Sequence, residues 1–372
     1  MRLAIVLPSL AGGGMERVGV RLINEWVQRG TEVDLVVTAF TGPLCDQIPK
    51  NVQIFEIGRR HAFLFPFGLW RYIKARRPSH ILAAGNDVNA LTLAIAGWCG
   101  KGISTVASVH NHLSSEIRLA KGGSRIKERL VVWLLRRTLR YSHGIVAVSR
   151  GVAEDWQKHF PSCTNKLHVI YNPVITPEFL ENGQRPLLGC PVPFATPWIL
   201  YVGRFVYAKG LDVLIDSFAL LTRNSAAHLV LMGDGEFENE IERRISSYGL
   251  GDRVHLVGFK NNPAPWMRAA DVLVLPSRHE GLGNVLIEAL ACGTQVVATD
   301  CPSGPSEILD GGTFGQLVPV ESPEALAAAL LSSLEGRFHV SAEALKQRAM
   351  EFTAERAALL YEQVLTAPPA GG

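Results

Sequence analysis

Residues 270–300 read ADVLVLPSRHEGLGNVLIEALACGTQVVATD. The apolar run Val272–Leu275 stops at Pro276, a loop carries Glu280, and the spacing predicts a helix that opens between Leu282 and Asn284 and closes at Gly293. A second apolar run, Gln295–Ala298, follows, so the stretch is strand, loop, helix, strand: the repeating unit of a parallel sheet. Glu288 falls within the first two turns of the helix. Because helical side chains lean toward the N-terminus, its carboxylate is expected to tilt back toward the loop of Glu280, so that both border one pocket. The N–H groups of the helix start floor that pocket, and Gly281 and Gly283 let a ligand approach the backbone, which suits a phosphate.

Working outward, 372 residues exceed a usual single core and imply two domains. The composition is globular, with 47% hydrophobic and 19% charged residues, and contains no low-complexity tract or repeat. Cys45, Cys99, Cys163, Cys190, Cys292 and Cys301 lack CxxC spacing, so they are expected to be free thiols rather than zinc ligands or a disulfide framework. The opening apolar run, Leu3–Leu7, is too short for a signal peptide, and no stretch reaches the length of a membrane span; a cytoplasmic protein is expected. Charge is unevenly divided. Residues 1–170 hold 23 Lys and Arg against 11 Asp and Glu, a net of +12, whereas residues 171–372 hold 14 against 23, a net of −9. Two halves of opposite sign have different partners.

The segment RLAIVLPSLAGGGMERVGVRLINEWVQRGTEVDLVVT (residues 2–38) reads as strand, glycine loop, helix, strand. A nicotinamide dinucleotide site would require a third glycine where Arg17 stands and an acid at the end of the second strand, but Asp34 lies inside that strand; the reading is rejected. Further strands are expected at Val52–Ile57, His80–Ala83, Ser104–Val109 and Ile145–Val148, with His110, Asn111 and His112 at the C-terminal edge of the third of these. Ligands of open α/β sheets collect at such edges. Between Arg118 and Arg140 there are eight basic residues (Arg118, Lys121, Arg125, Lys127, Arg129, Arg136, Arg137, Arg140) and a single acid, Glu128. Ile126, Leu130, Trp133 and Leu134 recur among them at helical spacing. Such a helix either lays its apolar stripe on the domain core or lies on an anionic membrane; no nucleic-acid-binding module is recognisable.

Six prolines between Pro173 and Pro197 argue against a regular helix and mark a linker. A second α/β domain begins at Trp198, where Arg204 and Lys209 flank a short strand-to-helix loop. Phe259 follows another strand and is equally consistent with simple core. The expected division is 1–172, a linker at 173–197, 198–340, and a terminal helix at 341–366 with periodic apolar positions.

Glu280 and Glu288 stand as Glu-x7-Glu inside EGLGNVLIEALACG, which resembles the signature of the retaining, nucleotide-sugar-dependent glycosyltransferases of family 4. The resemblance implies the GT-B fold, two Rossmann-like parallel-sheet domains facing across a cleft, with the terminal helix crossing back to an acceptor-binding first domain. It implies that Gly13, Gly14 and Glu16 lie beneath the donor diphosphate and that His110, with His112 in reserve, stands near the transferred sugar. Arg204 and Lys209, spaced as G-R-x4-K-G, resemble the family's diphosphate clamp. Glu288 is assigned to the ribose, Glu280 to the donor sugar, and Val257 and Phe259 to the base; Gly281, Leu282, Gly283 and Asn284 form the donor loop, and Ser303 and Gly304 an edge loop able to close over the sugar. With no Asp-x-Asp among the aspartates, a metal-dependent mechanism is unsupported, and neither a metal nor a cofactor is assigned. The implied activity moves a hexose or N-acetylhexosamine, from UDP by family frequency, to a polyprenyl-diphosphate-linked or lipopolysaccharide-type acceptor, with the enzyme peripheral on the inner face of the membrane. The alternatives are a nucleotide-sugar 2-epimerase of the same fold and a catalytically silent sugar-nucleotide-binding protein.

Overall fold

A computed structural model describes residues 2–57, 64–100, 102–119, 122–193 and 195–368. The chain divides into two compact units, residues 1–174 with 353–372, and residues 175–352.

In the first unit β1 (Arg2–Leu7), α1 (Gly14–Gln28), β2 (Glu32–Val37), β3 (Gln53–Glu56), α2 (Phe65–Arg76), β4 (His80–Ala84), α3 (Asn86–Cys99), β5 (Ser104–Val109), α4 (Leu113–Leu119), α5 (Gly122–Thr138), β6 (Gly144–Ala147), α6 (Arg150–His159) and β7 (Leu167–Val169) follow in order. All the strand pairs are parallel, in the order β3-β2-β1-β4-β5-β6-β7. Within β1, an interior strand, LAIVL from Leu3 to Leu7 is wholly buried, as a strand covered on both faces must be. Alternation divides its side chains. Leu3, Ile5 and Leu7 join Trp26 of α1 in one core, and Ala4 and Val6 join Leu69, Ile73 and Val88 of α2 and α3 in the other. Asp34 points into the second core, where it is fully buried and sealed by the Tyr72 hydroxyl at 2.8 Å and the Arg76 guanidinium at 3.1 Å, consistent with its rejection as a ribose ligand.

The second unit runs α7 (Pro177–Gly183), β8 (Trp198–Val202), α8 (Leu211–Leu221), β9 (His228–Met232), α9 (Glu238–Ser247), β10 (Val254–Leu256), α10 (Ala264–Ala269), β11 (Val272–Leu275), α11 (Asn284–Cys292), β12 (Gln295–Thr299), α12 (Pro305–Ile308), β13 (Gln316–Val318), α13 (Pro323–Leu334) and α14 (Ala342–Ala349). Its parallel sheet has the order β10-β9-β8-β11-β12-β13. Both units therefore share one winding. The first three strands step outward to one side, and the fourth returns to pair with the first, leaving a switch point between β1 and β4 and another between β8 and β11.

Three expectations are corrected. The proline-rich segment contains a short helix, α7, because Pro177 occupies its first turn, where no N–H bond is lost, and the Thr176 hydroxyl caps it by accepting from Phe179 N. Residues 341–366 are not one helix. After α14 the chain breaks at Met350–Phe352, and Thr353 caps α15 (Ala354–Thr366), whose Ala357, Ala358, Tyr361, Val364 and Leu365 complete the Trp26 core of the first unit. The basic stretch is two helices, α4 and α5, with Lys121 outside the described residues. Within α5 it is Val131, Val132, Leu135 and Thr138 that face the core, while Ile126, Leu130 and Trp133 are 72%, 61% and 49% exposed. The helix thus carries two apolar faces, and the sequence stripe follows the outer one.

Candidate functional site

At the switch point of the second unit the turns after β8 and β11 lie against each other. Gly210, at φ +64°, ends the first turn with its Cα so close to Pro276 that a Cβ would stand 2.1 Å from the Pro276 carbonyl oxygen, so only glycine fits. Lys209 sits one residue earlier in a 3-10 turn, and its Nζ reaches Glu280 Oε1 at 2.5 Å; the same oxygen accepts from Ser277 Oγ at 2.6 Å. Thr299 in turn donates to the Ser277 carbonyl at 2.5 Å, so the end of β12 braces the Glu280 turn. Two residues identified from sequence are therefore brought into direct contact. Arg204 is exposed, its side chain without an ion-pair partner among the described residues, while its carbonyl accepts from the Tyr201 hydroxyl at 3.0 Å.

Glu288 lies on the second turn of α11, half-buried. The Cys292 thiol, one turn on, is pushed up to about 12 by burial and then by the Glu288 charge. Gly283 precedes α11 at φ +93° and offers no capping side chain to the helix start, with Leu282 buried beside it. The turn after β12 closes over this loop. Gly304 is packed so tightly that a Cβ would fall 1.9 Å from the Leu282 carbonyl oxygen, and Ser303 holds a left-handed φ of +69° with its buried hydroxyl unpaired among the described residues. Buried Cys301 is likewise pushed up to about 12, by burial and by Glu280, against the opposing charge of Lys209. Val257 N donates to Leu231 O at 3.0 Å, and Phe259 is 52% exposed, which removes the core reading of that aromatic.

Sequence reasoning passed over Arg278. Its guanidinium makes a bidentate pair with Asp212 at 2.9 and 2.8 Å, bonds Glu321 and the Tyr207 carbonyl, and stacks 3.9 Å over the Tyr207 ring; its N–H donates to Ala208 O at 2.8 Å. These contacts tie the Lys209 turn to the Glu280 turn. Burial acts to raise the Asp212 carboxyl, but the Arg278 hydrogen bonds and charge outweigh it and hold it below its usual range.

In the first unit Glu16 doubles back from the first turn of α1. Ser9 Oγ donates to its Oε1 at 3.0 Å, and a Cβ on Gly13 would stand 2.5 Å from its Oε2. Gly14 is the first residue of α1, and Arg17 Nε donates to Gly12 O at 3.1 Å. Past β5, His110 Nε2 lies 2.9 Å from Ser108 Oγ, and burial lowers the ring to about 4. His112 is engaged otherwise, its Nδ1 bonded by the Ser115 hydroxyl and its Nε2 3.6 Å from buried Asp155, which caps α4 through Ser114 N. A second overlooked residue is Glu116. Asn86 and Asn111 donate to its two oxygens at 3.0 and 2.5 Å, yet burial, with the charges of Glu128 and Asp87, raises it to about 7. Loops after two different strands build this arrangement, so no local sequence signal marks it.

Comparison with known proteins agrees with both halves. Residues 12–177 match the family model described as Glycosyltransferase Family 4, and residues 196–336 that described as Glycosyl transferases group 1. The lipopolysaccharide core biosynthesis glycosyltransferase LpsE of Rhizobium meliloti is 31% identical over 328 residues, covering 86% of this chain and 84% of the relative. An N-acetylgalactosamine-N,N'-diacetylbacillosaminyl-diphospho-undecaprenol 4-alpha-N-acetylgalactosaminyltransferase of Campylobacter jejuni is 34% identical over 192 residues, which are 51% of this chain and only half of that enzyme's length. Among solved structures, Anabaena HepE in complex with UDP and glucose superposes with a TM-score of 0.77 at 20% identity, covering 99% of this chain and all of HepE, a likeness of fold shared by GT-B glycosyltransferases.

Proposed function

Because the chain belongs to the glycosyltransferases of group 1 and family 4, we propose that it transfers a sugar from a nucleotide-sugar donor to a glycan acceptor with retention of anomeric configuration and without a metal. The observation that carries the reading is the Lys209–Glu280 contact at the switch point, beside the start of α11. In this reading Lys209, Arg204 and the α11 N-terminus take up charge on the departing diphosphate. Glu280 holds hydroxyls of the donor sugar, Glu288 the ribose, and Val257 and Phe259 the base. Gly281, Leu282, Gly283 and Asn284 let the diphosphate approach the backbone, with Gly13, Gly14 and Glu16 as its first-unit counterpart and His110 near the transferred sugar. UDP is supported by its presence in the HepE complexes. A lipid-linked or lipopolysaccharide-type acceptor is supported by the names of the Campylobacter and Rhizobium relatives.

Among the described residues no helix is long and apolar enough to cross a membrane. Attachment at the cytoplasmic face falls instead to α5, where exposed Ile126, Leu130 and Trp133 share the helix with Arg125, Arg129, Arg136 and Arg137, and Arg137 stacks 3.9 Å over Trp133.

A thermal-shift panel of UDP, GDP and their sugars, followed by turnover with the stabilising donor, tests the reading. A ligand at 100 times its dissociation constant adds about 2.7 kcal/mol. Stabilisation by one donor series and acceptor-dependent release of the nucleoside diphosphate are expected. Release of UDP without acceptor would favour the 2-epimerase, and binding without turnover the silent protein.

A further inference from the structure

Tyr361 of α15 is buried to 1% exposure, packed edge-on against Trp26 with ring centroids 6.3 Å apart. Among the described residues its hydroxyl has one hydrogen-bond partner, Ser108 Oγ, at 2.9 Å. Ser108, 2% exposed and held at the end of β5 by Asn89 Nδ2 donating to its carbonyl, has a second partner, His110 Nε2, also at 2.9 Å. Three groups in a line share two hydroxyl protons and one ring proton, and their order is determined. A buried hydroxyl proton left unpaired costs its full desolvation, so Tyr361 donates to Ser108. Serine has a single proton, which then goes to the remaining neighbour, His110 Nε2. A nitrogen that accepts carries no hydrogen, and a neutral imidazole has one N–H, so the hydrogen is on Nδ1. Burial keeps the ring neutral at physiological pH.

We propose that Tyr361, acting through Ser108, is a positioning residue that fixes His110 as the Nδ1–H tautomer, so that the ring presents an N–H donor, and not a lone pair, to a ligand oxygen at this sheet edge. The role toward a ligand rests on the reading of His110 as the residue beside the transferred sugar; the tautomer does not. Among the described residues the ring's one hydrogen bond is to Ser108 through Nε2, which leaves Nδ1 open to a ligand or to water. The last helix of the chain thereby reaches the sheet edge through one serine, a link that spans 253 residues of sequence.

The test is long-range 1H–15N NMR near pH 7 on the ligand-free, full-length protein labelled in histidine, with His110 assigned by the signals lost in His110→Gln. A pyrrole-type Nδ1 and a pyridine-type Nε2 are expected. Ser108→Ala should convert His110 to the Nε2–H form preferred in water, and Tyr361→Phe should produce a mixture, because Ser108 is then free to accept from the ring. Turnover of Tyr361→Phe should show a lowered kcat with the donor KM unchanged. A wild-type Nε2–H signature, or an Nδ1–H signature untouched by both substitutions, overturns the proposal, and Tyr361→Phe alone suffices if Ser108→Ala does not fold. Failure of the wild type to transfer any sugar would overturn the transferase reading while leaving the spectrum intact.

Discussion

Lys209 and Arg204 offer two cations under different restraint, one held by Glu280 at 2.5 Å and the other exposed. Lys209→Ala should lower turnover by on the order of a hundredfold, as loss of one preorganised charge partner does. Its melting temperature should fall modestly, because Glu280 is largely buried and keeps the Ser277 hydroxyl when the lysine is lost, a cost of about 1–3 kcal/mol. Initial rates and a thermal melt of the same sample decide this, and normal turnover removes Lys209 from the mechanism. The glutamates should part company: Glu288→Gln weakens UDP binding itself, whereas Glu280→Gln spares UDP and impairs transfer, and equal losses of UDP affinity would contradict these roles. Arg278 belongs to a different class. Arg278→Ala leaves Asp212 partly buried with only backbone donors and should cost about 1–3 kcal/mol, with Arg278→Lys a poor rescue because lysine cannot pair bidentately; denaturant melts measure both. The meeting of Lys209 with Glu280 was legible because each sits in a fixed local spacing at a strand end. Arg278 was not, because its partners lie 66 and 43 residues away, and an arginine between a serine and a histidine looks like any surface charge.

Among the elements, α5 departs furthest from its reading. Periodicity detected an apolar stripe correctly but not which way it faces, because Ile126, Leu130 and Trp133 and the buried Val131, Leu135 and Thr138 are both helical sets, rotated about the same axis. Only packing against α3 selects the inner one. With the outer set exposed, wild-type protein should sediment with vesicles containing anionic lipid and be released as salt rises. Replacing Arg125, Arg129, Arg136 and Arg137 by Ser should abolish recruitment, and Trp133→Ser with Ile126→Ser should weaken it while leaving its salt dependence. Indifference of the wild type to anionic vesicles at low salt would make α5 a solvated face and favour a soluble acceptor. Helix ends were easier to read where the chemistry is local, as at Gly293 closing α11. They were harder where a threonine does the work, as Thr176 and Thr353 do by accepting from N–H groups three residues ahead.

For the whole molecule, His80, His110, His143, His168, His228 and His255 are all lowered by burial. The unfolded chain therefore binds protons that the native state refuses once pH falls below the unfolded value of about 6.5, and stability drops from there toward the His110 value of about 4. Glu116 works in reverse. Raised to about 7, it protonates first in the folded state and returns some stability between there and the ordinary glutamate range. Melting temperature should therefore fall on acidification from pH 7 to 5, and more steeply in Glu116→Gln; a flatter profile in that variant contradicts a raised Glu116. The two-sheet architecture was readable because each strand-loop-helix unit is encoded locally. The split of the first unit was less so, since it depends on α15 joining a core whose other members lie before residue 175. That split sets an order of manufacture. On a ribosome, β1 to β7 emerge with the Trp26 side of their sheet covered by α1 but not yet by α15, and that core must wait while all of residues 175–352 are made, on the order of ten seconds or more at ordinary elongation rates. The second unit can finish folding first, and the nascent first unit is the stretch a chaperone must shield until Tyr361 arrives.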